Sequence, residues 1–183
     1  MFLRKRMLLK LAAFYLARKR KTLWRGAVAG AIGGLAGAGI MQLGQVAMTR
    51  RNGGGSPQEV REQNMEEDPA SKLVTTVTRK VVHHEPASIT KKVGGSLVHY
   101  AFGSGVGAMY GAVSELVPVA RYARGAPFGA ALWVAADLAA VPAFRLSSPP
   151  QRIPLKQHAQ MLGMHVAYGL TTDTVRRYMR EVL

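Results

Sequence analysis

Four stretches of this 183-residue chain are almost free of charge. Lys, Arg, Asp and Glu are absent from Gly26 to Met48, a run of 23 residues, and from Val93 to Ser114, a run of 22. From Gly125 to Phe144 only Asp137 is ionised at neutral pH, and from Gln157 to Thr172 none of the four occurs. A helix takes about 20 residues to cross a hydrocarbon core of ~30 Å. The first three runs meet that length. The fourth does so when extended to Val175, with Arg176 and Arg177 snorkelling outward. The pattern therefore predicts an all-α fold, a four-helix transmembrane bundle with spans at 23–49, 93–118, 124–146 and 156–176.

A soluble bundle would show a polar face recurring every three or four positions. Gly26–Met48 has no such face before Gln42 and Gln45. Interior Gly also costs a water-exposed helix about 1 kcal/mol relative to Ala. In a membrane it lets helix backbones approach closely.

The flanks complete the layout. Residues 1–22 alternate basic clusters with Leu, Phe, Tyr and Ala, and predict a basic amphipathic helix lying on an anionic membrane surface. Lys/Arg runs attract nucleic acid equally well, but the adjoining span places this one beside lipid. It does not read as a secretory signal, because Arg18–Lys21 interrupts the apolar stretch. Residues 50–92 form a polar extracytoplasmic loop, broken by Gly53-Gly54-Gly55-Ser56-Pro57 and carrying short helices in 58–84. Residues 177–183 are a cytoplasmic tail.

The charge balance sets the orientation. The chain has 25 Lys and Arg against 10 Asp and Glu, a net charge of +15. Fourteen basic residues fall on the side of the termini (1–25, Arg121, Arg124, Arg176, Arg177, Arg180) and eleven on the other. Both termini are thereby expected in the cytoplasm, and the protein in a bacterial inner membrane. The absence of Cys excludes disulfides, thiolate metal sites and a catalytic thiol.

Small residues are spaced for helix packing. Gly103, Gly107 and Gly111 lie four apart in the second span. The first span repeats the spacing in Gly26-Gly30, Gly30-Gly34 and Gly33-Gly37, and the third in Gly125-Gly129. Such strips pack helices by dispersion where no hydrophobic effect operates. The partner helix could belong to the same chain or to another copy. The run GSGVGAMYG resembles a phosphate loop in text only, because its glycines lie inside an apolar span rather than between a strand and a helix.

Ionisable groups at membrane depth usually face the bundle interior. With ~1.5 Å of rise per residue, His99, Asp137 and His165 fall at one level in the outer half, with Gln42 at a similar depth. Three roles are open to this polar cluster: interhelical hydrogen bonding, a proton or ion pathway, and a metal or haem site, which no short ligand spacing supports. Glu115 lies ~24 Å from His99 along the same helix. It is expected in a charge cluster at the inner boundary with Asp173, Arg121, Arg124, Arg176 and Arg177.

Several of these motifs occur together in a known family. His99-Tyr100-Ala101-Phe102, Gly107-Ala108-Met109-Tyr110-Gly111 and Glu115 resemble the second span of YagU-like proteins, bacterial inner-membrane proteins of unknown function. The third span from Gly125 to Asp137, Pro142, the linker Leu146–Pro150 and the ending His158–Arg177 are similar as well. The resemblance covers about 94–180, not the basic helix or the loop. It implies a four-span inner-membrane protein and directs attention to His99, Glu115, Asp137 and His165.

No catalytic constellation stands out, and neither a cofactor nor a metal is expected. The sequence points to a non-enzymatic accessory or self-associating subunit, with the lipid bilayer, a second copy or a larger membrane complex as partner. The alternative is a small transporter or proton-conducting protein.

Overall fold

The computed structural model describes residues 2–51, 70, 72–73, 75–76, 88–144, 146 and 149–183, without the side chains of 2–21, 49, 88–92, 118, 121 and 122. Among the described residues the fold is all-helical, with no strand. The short helices expected in 58–84 lie outside the described residues, apart from helical positions at Ala70, Lys72, Leu73, Thr75 and Thr76.

Helix α1 (Phe2–Arg51) is 50 residues long and unbroken, hence ~75 Å end to end. The expected division at residue 22, between a surface helix and a first span, is not present as a break in the helix. The sequence gives a reason: neither Gly nor Pro occurs between Phe2 and Arg25. The helix ends where Asn52 and three consecutive Gly follow in the sequence, residues that favour other backbone conformations.

Helix α2 (Ser88–Leu116) stops at Val117, which is extended at φ −123°, ψ 94°. Val117 precedes Pro118, whose ring disfavours the α region for its neighbour. A 3₁₀ segment, Pro118–Gly125, then turns the chain and ends left-handed, with φ of 48°, 52° and 84° at Ala123, Arg124 and Gly125.

Helix α3 (Ala126–Trp133) runs on into a π-helical stretch, Val134–Ala140, and a last α turn, Val141–Ala143. Pro142 accounts for the wider turn. It has no N–H to give to the carbonyl four residues back and its ring would press on it. The Val141 N–H reaches back five residues instead, to Ala136 O. Helix α4 (Leu155–Val182) begins after Pro154.

Helix α1 packs along both α2 and α4, and α3 packs along α4; α2 and α4 approach each other little. Backbone proximity at glycine defines each seam. Gly26, Gly30 and Gly34 of α1 lie against Gly111, Gly107 and Gly103 of α2 in antiparallel register. A Cβ on Gly30 or Gly107 would fall on the carbonyl oxygen of the other. Gly33 faces the Thr172 carbonyl of α4, and Gly37 faces Tyr168 and Thr172. The α3–α4 seam pairs Gly125 with Gly169 and Gly129 with the His165 carbonyl.

Burial is inverted relative to a water-soluble bundle. Ser114, Thr172, Asp173 and Arg176 are buried together with Ala29, Ala38, Tyr110 and Tyr168. Large apolar side chains face outward on every helix, among them Leu43, Leu97, Met109, Phe144 and Leu155. By length and composition, two helical stretches suffice to cross a membrane, Thr22–Met48 and Ala123–Ala143. The charge-free runs suggested four. Helices α2 and α4 have 29 and 28 residues, but Lys91, Lys92 and abundant Gly dilute one, and Thr, His, Asp173 and arginines the other.

Candidate functional site

Helix α4 carries a polar cluster toward each end, and the two are built from different chemistry. Toward the C-terminus, Asp173 is fully buried. Arg176 donates to its Oδ1 from Nε at 3.0 Å and Nη2 at 2.8 Å, and Arg177 donates from Nε to Oδ2 at 2.7 Å. Spacings of three and four bring these side chains onto one helix face. Glu115, at the end of α2, accepts from Arg180 Nε at 2.9 Å and Nη2 at 3.4 Å, and Arg176 Nη1 lies 3.9 Å from the same carboxylate. The Arg176 guanidinium also sits 5.8 Å from the centre of the Tyr110 ring, which stacks on Phe128 of α3 at 4.2 Å. Three helices thus meet around two carboxylates, each answered by two arginines.

The membership differs from the sequence expectation. Arg124 is exposed, and the ion pairs of Glu115 and Asp173 run to the arginines of α4. The side chain of Arg121 lies outside the described residues. Arg180, not assigned to this cluster from sequence, is one of its members. The positions 173, 176, 177 and 180 follow i, i+3, i+4, i+7, a signal legible on the helix face.

The cluster toward the N-terminal end of α4 centres on Asp137, held on the π-helical stretch. His165 Nδ1 lies 3.7 Å from Asp137 Oδ2. The same Nδ1 is 3.0 Å from the Met161 carbonyl; a carbonyl only accepts, so in the neutral ring Nδ1 carries the proton. His158 Nε2 is 3.0 Å from the Pro150 carbonyl, which by the same argument places its proton on Nε2 and leaves a lone pair on Nδ1. That Nδ1 is buried without a hydrogen-bond partner, and so is Trp133 Nε1. The two rings meet edge to face, 5.9 Å between centres.

His158 and Trp133 were not singled out from sequence. His158 stands seven residues from His165 and Trp133 four from Asp137, the intervals that place residues on a common helix face.

His99 and Gln42 take partners elsewhere, along the α1–α2 seam. His99 Nε2 is 3.3 Å from the Ala38 carbonyl, and Tyr100 donates its hydroxyl to Gln42 Oε1 at 2.7 Å. The four residues expected at one level therefore divide into two sets. Among the described residues, no three His, Asp or Glu side chains gather as metal ligands would.

No curated protein and no solved structure matches the chain. A family model does, and it covers residues 57–174, from the stretch ahead of α2 through Asp137, His158 and His165 to Asp173. It thus takes in residues 57–93, on which the resemblance to YagU-like proteins did not draw. The matched stretch is more than half of the chain, which belongs to the family described as protein of unknown function, DUF1440.

Proposed function

We propose that this chain is a YagU-like integral protein of a bacterial inner membrane, crossing it four times with both termini cytoplasmic. Its role is non-enzymatic, as an accessory or self-associating structural subunit of a membrane assembly. One observation carries this reading: the seam glycines and the Asp173–Arg176 pair face inward while Leu, Met, Phe and Val side chains face outward. Water would penalise that arrangement by about 25 cal/mol for each Å² of exposed apolar surface, whereas lipid favours it. The glycine strips are already engaged within the chain, so the outward apolar faces are left for lipid or a second copy. The basic residues of 1–22 are matched to anionic lipid headgroups rather than to nucleic acid.

Alkaline carbonate extraction of membranes tests insertion: the protein should stay in the pellet, and release into the supernatant would overturn the reading. Reporter fusions at Arg51, Arg121, Pro150 and Leu183 should alternate outside, inside, outside, inside.

A second reading, a small transporter or proton-conducting protein, is favoured by Asp137 beside His165 on a π-helical stretch, a distortion frequent at functional sites. In proteoliposomes, Asp137→Asn should then abolish pH-dependent flux while leaving the fold intact.

A further inference from the structure

The third span is covered at one end only. Toward its start, Gly125 and Gly129 lie on α4 and Phe128 stacks on Tyr110 of α2. Beyond Trp133 that cover stops. No residue of Val134–Ala140 or Val141–Ala143 is buried, and neither stretch lies along another helix. This uncovered part carries Asp137, 13 residues past Arg124 and hence ~20 Å along the axis. The carboxylate is also short of partners. His165 Nδ1 stands 3.7 Å away with its proton directed at the Met161 carbonyl. Among the described residues no group donates a hydrogen bond to Asp137, and its side chain is 23% exposed. An acid facing hydrocarbon is costly, and such groups are found paired. The surrounding positions differ from the lipid-facing ones elsewhere. Between Val134 and Phe144 the exposed residues are Ala135, Ala139, Ala140 and Ala143, where α1 and α2 turn Leu43, Leu97 and Met109 outward.

We propose that the outer half of the third span is a docking face for a transmembrane helix of another protein, one that carries a Lys or Arg at the depth of Asp137. Charge complementarity selects this occupant over a second copy of the chain. Two copies inserted in one orientation and paired through this face would bring two Asp137 carboxylates to the same level, and like charges repel strongly in a medium of low dielectric. Nor does the chain have a cation of its own to offer there. Gly26–Met48, Val93–Ser114, Gly125–Phe144 and Gln157–Thr172 contain no Lys or Arg. A partner's basic side chain supplies the N–H donors that α4 withholds, while the alanines let the two backbones approach. The docking face gives the accessory-subunit reading a partner of defined chemistry, and rests on that reading.

The chain has no Cys, so Val182→Cys, at an exposed position far from the face, provides a single site for a donor dye. The labelled full chain is reconstituted in phosphatidylcholine–phosphatidylglycerol liposomes with synthetic single-span helices of Leu and Ala bearing an acceptor. Three probes differ only at the level of Asp137, where they carry Lys, Leu or Glu. Energy transfer to the Lys probe should exceed that of random mixing. The Leu and Glu probes should need about tenfold higher density for the same transfer. Equal association of all three, or of none, would overturn the docking face without any variant being made. In Asp137→Asn, verified as folded by its helical circular dichroism and elution, the Lys probe should lose the same factor, and unchanged association would remove Asp137 from the face. Transfer between donor- and acceptor-labelled copies that Ala135→Leu abolishes would assign the face to a second copy and overturn the proposed partner. Flotation reports insertion separately: a chain that does not float with the liposomes refutes the membrane reading, whereas one that floats and ignores the Lys probe refutes the docking face alone.

Discussion

A carboxylate lies near each end of α4, Asp173 on the helix itself and Asp137 on the π-helical stretch across from His165, and the two are answered in opposite ways. Asp173 is surrounded by guanidinium groups that stay charged at every physiological pH, and its two oxygens accept three hydrogen bonds. Asp137 has the His165 imidazole 3.7 Å away and no arginine partner among the described residues. Buried polar atoms without a partner occur beside both, Ser114 Oγ and Thr172 Oγ1 near the first and Trp133 Nε1 and His158 Nδ1 near the second. The first arrangement is held by permanent charges and the second by a hydrogen-bonded ring. The distance between them is modest: eight residues from His165 to Asp173 correspond to ~12 Å along the axis. A single helix thus joins a lock of permanent charges to a carboxylate answered by imidazole, and the glycine seams hold both to the same frame.

The sharpest way to break the comparison is at the lock. Asp173→Ala leaves Arg176 buried without its main partner and should cost about 3–5 kcal/mol, seen as a large fall in the unfolding temperature of the purified protein in detergent. The double variant Asp173→Leu with Arg176→Met removes both charges and should recover most of that loss. Next in size is the seam between the two clusters. A Cβ at position 129 would meet the His165 carbonyl, so Gly129→Ala should cost about 1–3 kcal/mol through overpacking. It should also disturb the His165 NMR signals while leaving those of Arg180 in place.

Smaller effects sharpen the contrast. Asp137→Asn keeps a hydrogen-bonding side chain of the same size and should change stability by about 1 kcal/mol or less. Asp137→Leu leaves the neighbouring polar groups unanswered and should cost about 1–3 kcal/mol. Both are read by thermal unfolding in the same detergent. The smallest effect belongs to Arg177, whose side chain is half exposed. Arg177→Ala should cost at most about 1 kcal/mol, and less in high salt.

Helical spacing in the sequence made much of this arrangement readable. The interval of four between Gly103, Gly107 and Gly111 marks a face without knowing its partner, and α1 presents the matching interval from Gly26 to Gly34. The rise per residue brings Asp137 and His165 to a common height. Height carries no azimuth, however, so it could not tell that His99 and Gln42 lie along α1–α2 while Asp137 and His165 meet across α3–α4. Residue type alone marks neither Trp133, in the middle of the third span, nor His158, at the start of the fourth. Their significance lies in lacking partners, which only coordinates reveal. The π-helical stretch was likewise written in Pro142, but a Pro near a helix end reads as a terminator unless the helix is seen to continue.

The continuity of α1 has a mechanical consequence. Gly26, where α1 first meets α2, stands close to the midpoint of the rod, with ~36 Å of helix on one side and ~38 Å on the other. The helix contains no Pro in 50 residues, and so lacks the commonest cause of a kink. The half that follows Gly26 is clamped on two sides, by α2 at Gly30, Gly34, Ala38 and Gln42 and by α4 at Gly33 and Gly37. It therefore cannot swing alone: a displacement of the rod carries α2 and α4 with it, and α1 serves as the spine about which the helices move as one piece.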